Sequence, residues 1–76
     1  MKKVVQELRS IGLLRVELRR LRAKRDEIIL EKGLAGRDDN DLRENSLYEY
    51  LRQQEELYTF LIIKTLQEIK RLSSVG

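Results

Sequence analysis

Apolar residues recur along this chain at spacings of three and four, in two long runs. In the first, Ile11, Leu14, Leu18, Leu21 and Ile28 are three, four, three and seven residues apart. Arg25 stands where the missing apolar residue of that series belongs. This is a heptad seam with one polar interruption, and it predicts an α-helix. Val4 and Leu8 carry the stripe backward, giving a helix over about 4–35, roughly 45–50 Å long at 1.5 Å per residue. Gly12 and Gly33 each weaken it by about 1 kcal/mol relative to Ala. Lys32 and Gly36 read as stop signals near its end. In the second run Tyr48, Leu51, Tyr58, Ile62, Thr65, Ile69 and Leu72 repeat the rhythm, with Glu55 as the polar gap. They predict a helix over about 42–72. Asp41 and Glu44 have the N-cap and N3 spacing of a capping box. Residues 73–76 read as a frayed end.

Only residues 36–45 read as a turn. Two helices of similar length joined by a short loop are antiparallel neighbours. The predicted fold is all-α: a single domain over 1–76, forming a long antiparallel α-helical hairpin or coiled coil. Residue i should roughly face residue 80 − i. A second set of apolar residues lies off the seam. Leu13 and Val16 on the first helix, and Phe60, Ile63 and Leu66 on the second, cannot all point at one partner helix. They predict an exposed apolar patch, and with it a homo-oligomer, most simply a two-fold dimer closing into a four-helix bundle.

Composition narrows the chemistry. The chain has no His and no Cys, which removes the commonest general base, disulfides and thiolate metal sites. No nucleophile–base pair and no glycine-rich phosphate loop is visible, so an enzyme in its own right is not expected. The longest uncharged apolar run, Phe60 to Ile63, is far too short to span a membrane. The start lacks the apolar stretch of a signal peptide, so a cytoplasmic protein is expected. Proline is absent and 38% of residues are charged, which favours solvated helices. The charge is unevenly divided. Residues 1–37 hold eleven basic and five acidic residues, whereas residues 38–76 hold five and eight. The cluster Arg15, Arg19, Arg20, Arg22, Lys24 and Arg25 could track a phosphate backbone. An ion-pair ladder to Glu49, Glu55 and Glu56 of the facing helix is its expected role.

Any carboxylate chemistry belongs to the turn, where Asp38, Asp39, Asp41 and Glu44 fall within seven residues. Two carboxylates are too few to bind Mg²⁺ tightly alone, but they could complete a site offered by another protein. By spacing alone, Asp41 and Glu44 are a helix cap in the positive field of its N-terminus.

The residues that follow extend this. Asp41-Leu42, Glu44-Asn45, Tyr48, Arg52 and Gln54 resemble the D-L-x-E-N-x-x-Y-x-x-x-R pattern, followed by Gln, of the bacterial transcript-cleavage factors GreA and GreB. The pattern lies just past the tip of that family's N-terminal coiled coil. Leu14-Arg15, Glu17-Leu18 and Leu21 resemble the family's first helix, and Asp26-Glu27-Ile28-Ile29 its P-E-I-I, with Asp in place of Pro. The resemblance covers about residues 8–72.

It implies a hairpin that enters the secondary channel of bacterial RNA polymerase. It further implies that Asp41 and Glu44 help hold a catalytic Mg²⁺ shared with the polymerase, so that backtracked RNA is cleaved. No cofactor is then expected on the chain alone. Arg37, Asp38, Asp39, Arg43, Asn45, Tyr48 and Arg52 become expected contacts with the polymerase or the extruded RNA. Two features depart from the family. Asn40 stands where Gly is usual, and no residues correspond to the family's C-terminal β-rich domain. Relatives with very acidic tips inhibit the polymerase, so either sign of effect fits. The rival expectation is a dimeric coiled-coil interaction or nucleic-acid-binding module whose tip is only a cap.

Overall fold

The computed structural model describes residues 2–38 and 46–74, with side chains for 8–36 and 46–74. It is a helical hairpin. Helix α1 spans Lys2–Asp38 and helix α2 spans Ser46–Ser73, packed against each other along their length. No strand occurs among the described residues. The molecule is a rod of 60 × 15 × 13 Å. Its radius of gyration is 17.3 Å, where a compact chain of this length would have about 11 Å.

The heptad seam is the core. Leu18, Leu21 and Ile28 from α1 and Leu51 and Ile62 from α2 are buried, each at most 8% exposed. Leu18, Leu21 and Ile62 form one cluster, against which Tyr58, Leu61 and Ile69 pack. Leu18 and Ile62 fit the register expected from 80 − i. Ile11, Leu14, Tyr48, Thr65 and Leu72 are half-buried at the positions that the seam assigns them. Thr65 turns its hydroxyl back to donate to the Leu61 carbonyl at 2.8 Å, so its methyl group can face the seam without an unmet donor.

The polar interruption at Arg25 is half-buried too. Its Nε is buried without a hydrogen-bond partner. The gap at Glu55 is satisfied instead by Lys32, whose ammonium donates to the Glu55 carboxylate across the interface.

Two boundary expectations change. Gly36 does not stop α1, which continues to Asp38. Gly36 keeps helical backbone rather than the positive φ of a C-cap glycine, and the Tyr48 ring lies 3.6 Å from where its Cβ would be. Packing of α2 over this last turn supports the helix where sequence signals alone would end it. The proposed start of the second helix near 42, with its capping box, lies outside the described residues. At the other end Ser73 is still helical. Ser74 closes the helix, its N–H donating to the Lys70 carbonyl and its Oγ to the Arg71 carbonyl.

Candidate functional site

The expected carboxylate tip falls largely outside the described residues. This applies to Asp39, Asp41, Arg43, Glu44 and Asn45. Arg37 and Asp38 belong to the last turn of α1, but their side chains are likewise not described. What the structure does place is the base of that tip. Gly36 and Tyr48 meet side by side, so the ends of α1 and α2 are held together where the connecting residues 39–45 leave and return. Tyr48 is half-buried, so it has a packing role there whatever else it contacts.

Arg52, one turn further from the tip end than Tyr48, is committed to its own helix. Its guanidinium donates to Glu49 at 3.2 Å and to Glu56 at 2.8 Å. Those carboxylates, Glu49 first, raise its pKa further above the ordinary arginine range. The side chain is thereby extended along the surface of α2, with 46% of it still exposed.

The ladder between helices expected for the basic cluster is not what forms. Arg20 pairs with Glu17 and Lys24 with Glu27, both within α1, and Arg71 pairs with Glu68 within α2. Among the described residues, the ion pair that crosses between helices is Lys32–Glu55. Carboxylates three or four positions away on the same helix are reached without ordering a second element, so they capture the guanidinium groups first. Hydrogen bonds from Arg20 and Arg71 hold the Glu17 and Glu68 carboxyls below the usual carboxylate range. Arg15, Arg19 and Arg22 stay exposed on α1.

The predicted apolar patch is present as exposed side chains. Leu13, Val16, Phe60, Ile63 and Leu66 are all 40–66% exposed. Phe60 and Ile63 line a shallow groove of about 400 Å³ with Arg52, Glu55, Glu56 and Thr59, whereas Leu13 and Val16 lie elsewhere, on α1. The Lys64 ammonium sits 5.5 Å from the centre of the Phe60 ring, a cation–π distance that steadies the ring at the groove edge. Thr59 as a groove residue was missed in the sequence. Its signal was available: residues 56, 59, 60 and 63 share one helical face.

No group of three or more potential metal ligands occurs among the described residues, and none of the helices among them is long and apolar enough to cross a membrane. Comparisons with protein-family models, with curated proteins and with solved structures return no match.

Proposed function

We propose that this hairpin is an RNA polymerase-binding elongation regulator of GreA/GreB type. It would insert its acidic tip into the polymerase secondary channel, and there promote or inhibit Mg²⁺-dependent cleavage of backtracked RNA. The observation that carries this reading is a narrow rod, 60 Å long, built from the chain on either side of Asp41-Leu42-Arg43-Glu44-Asn45. The resemblance in that motif supplies the partner. A stiff two-helix rod can present side chains deep inside another protein without spending chain entropy on the approach.

In this reading Asp41 and Glu44 contribute oxygen ligands to Mg²⁺ that the polymerase already holds. Such an ion activates water and stabilises the leaving oxygen in phosphodiester hydrolysis. The chain itself is then not an enzyme but assists the polymerase's own reaction. Arg37, Arg43 and Arg52 would add positive charge towards the RNA end. The Arg52 role competes with its two carboxylate partners, so Arg52 would contribute by orienting Glu49 and Glu56 as well as by its charge.

The test is cleavage of a stalled, backtracked elongation complex with wild type, Asp41→Ala and Glu44→Ala. An activator speeds cleavage, and both substitutions abolish the gain. An inhibitor slows elongation, and both substitutions relieve it. No binding and no effect of the wild-type chain would overturn the proposal. That outcome would favour the rival interaction module, for which the exposed apolar side chains of α2 speak independently.

A further inference from the structure

The outer face of α2 has a symmetry that its inner face lacks. Counting from Ile63, Phe60 and Leu66 lie three residues to either side, and Glu56 and Lys70 seven to either side. All five are exposed. The stripe therefore reads acid, apolar, apolar, apolar, base. Laid antiparallel on a second copy of itself with Ile63 at the two-fold axis, it is self-complementary. Ile63 meets the partner's Ile63, Phe60 meets the partner's Leu66, and Glu56 meets the partner's Lys70. Two-fold interfaces are isologous, so each of the unlike contacts occurs twice.

The groove supplies the receiving shape. Glu56, Thr59, Phe60 and Ile63 all line it, at positions i, i+3, i+4 and i+7. Four residues so spaced form the hole that takes one knob in a packed helix pair. In the two-fold register the knob at that level is the partner's Leu66. Arg52 donates to Glu56 at 2.8 Å from one side, bracing the carboxylate that Lys70 would approach from the other. Lys70 itself has no carboxylate within ion-pair distance among the described residues.

The rod shape leaves more surface exposed than a compact fold would. The chain exposes 6310 Å², where a compact monomer of its mass exposes roughly 4,900 Å². Stable interfaces bury on the order of 1,200–2,000 Å² in total.

We propose that α2 is the interface of an antiparallel homodimer, with Ile63 on the two-fold axis, the partner's Leu66 in the hole at Phe60, and Glu56–Lys70 pairs at both ends. Leu13 and Val16 are outside it. The dimer points its two tip ends in opposite directions and leaves the turns around Gly36 and Tyr48 uncovered. It is independent of the polymerase reading and compatible with it.

Sedimentation equilibrium of the full chain up to about 0.5 mM tests this, a range in which even a Kd of about 100 µM populates dimer. The expected result is a monomer–dimer equilibrium that Ile63→Glu abolishes and Leu13→Glu leaves unchanged. Glu56→Lys and Lys70→Glu should each weaken the dimer about tenfold by placing like charges opposite one another. The double variant Glu56→Lys/Lys70→Glu should restore it. Residues 56 and 70 are roughly 21 Å apart along one helix, too far to interact within a chain. Rescue therefore reports the intermolecular register even if a single variant also loses helix stability. A chain that stays monomeric throughout overturns the proposal. So does a dimer indifferent to Ile63→Glu, and so does one that both charge reversals weaken without rescue.

Discussion

Ile62 and Ile63 are the same side chain one residue apart, and their fates are opposite. Ile62 is 5% exposed and belongs to the cluster with Leu18 and Leu21, whereas Ile63 is 48% exposed on the outer face. A step of one residue turns a helix by about 100°, which is enough to move a side chain from the seam to solvent. α2 thus carries two apolar stripes. The inner one continues on α1 at heptad spacing and is covered. The outer one is left exposed. The difference shows that apolar content measures what a helix needs to bury, while the partner's pattern decides which part is buried within the chain.

The comparison is most severely tested at the seam. Ile62→Ala should cost about 2–5 kcal/mol, the range for truncating a buried aliphatic residue. In a chain whose described core is five residues, that should unfold much of the population, visible as lost helical circular dichroism at 25 °C. Ile63→Ala, measured at micromolar dilution, should stay within about 0.5 kcal/mol of wild type, as exposed substitutions do. Equal costs at the two positions would break the comparison.

Next in size is Arg25→Leu. It removes a buried Nε that has no partner and fills the one gap in the α1 stripe. A buried unsatisfied donor costs on the order of 1–3 kcal/mol, so the variant should be more stable by about 1 kcal/mol in urea denaturation. A loss of stability would mean that the gap is held by contacts other than packing. Polar interruptions of this kind also fix helix register, so the more stable variant should show broader or additional amide signals in NMR spectra if Arg25 has that role.

Gly33→Ala and Gly12→Ala sharpen the comparison from the solvent side. A Cβ at either position meets nothing within 4 Å, so only helix propensity changes. Each should raise stability by up to about 1 kcal/mol, read as a higher urea midpoint with an unchanged slope.

The smallest expected effect is alkaline. The hydrogen bond from Lys32 to Glu55 raises the lysine pKa against the opposing effect of desolvation. A group whose folded pKa lies above its unfolded value, about 10.4, stabilises the fold fully below that value. The contribution is lost as pH rises through the folded pKa. Melting temperature should therefore fall above about pH 10, and Lys32→Met should flatten that part of the profile.

Much of the fold was legible because heptad spacing encodes a covered face directly. Leu18, Leu21, Ile28, Leu51 and Ile62 all lie on the stripes that the spacing marks. Their burial follows from geometry that repeats every seven residues. The ion pairs were not legible in the same way. Glu17, Glu27, Glu49 and Glu68 stand three residues from a cation on their own helix and Glu56 four, and these pair within their helices, whereas Glu55 reaches across to Lys32. Spacing permits both arrangements, and only the positioned backbones select between them. Gly36 shows the same limit at a helix end. Its sequence context reads as a stop, and the Tyr48 ring packed beside it keeps the turn helical.

By itself, then, the sequence determined the element type, the antiparallel pairing and the identity of the buried seam, because each follows from periodicity and loop length. The roles proposed for Asp41 and Glu44 rest on the resemblance of the motif around them. The tertiary structure decided that α1 extends to Asp38, that most ion pairs among the described residues run along rather than between helices, and that Phe60 and Ile63 share a groove which Leu13 and Val16 do not line. Those outcomes depend on distances between side chains far apart in sequence. Such distances exist only once two helices have settled into one register.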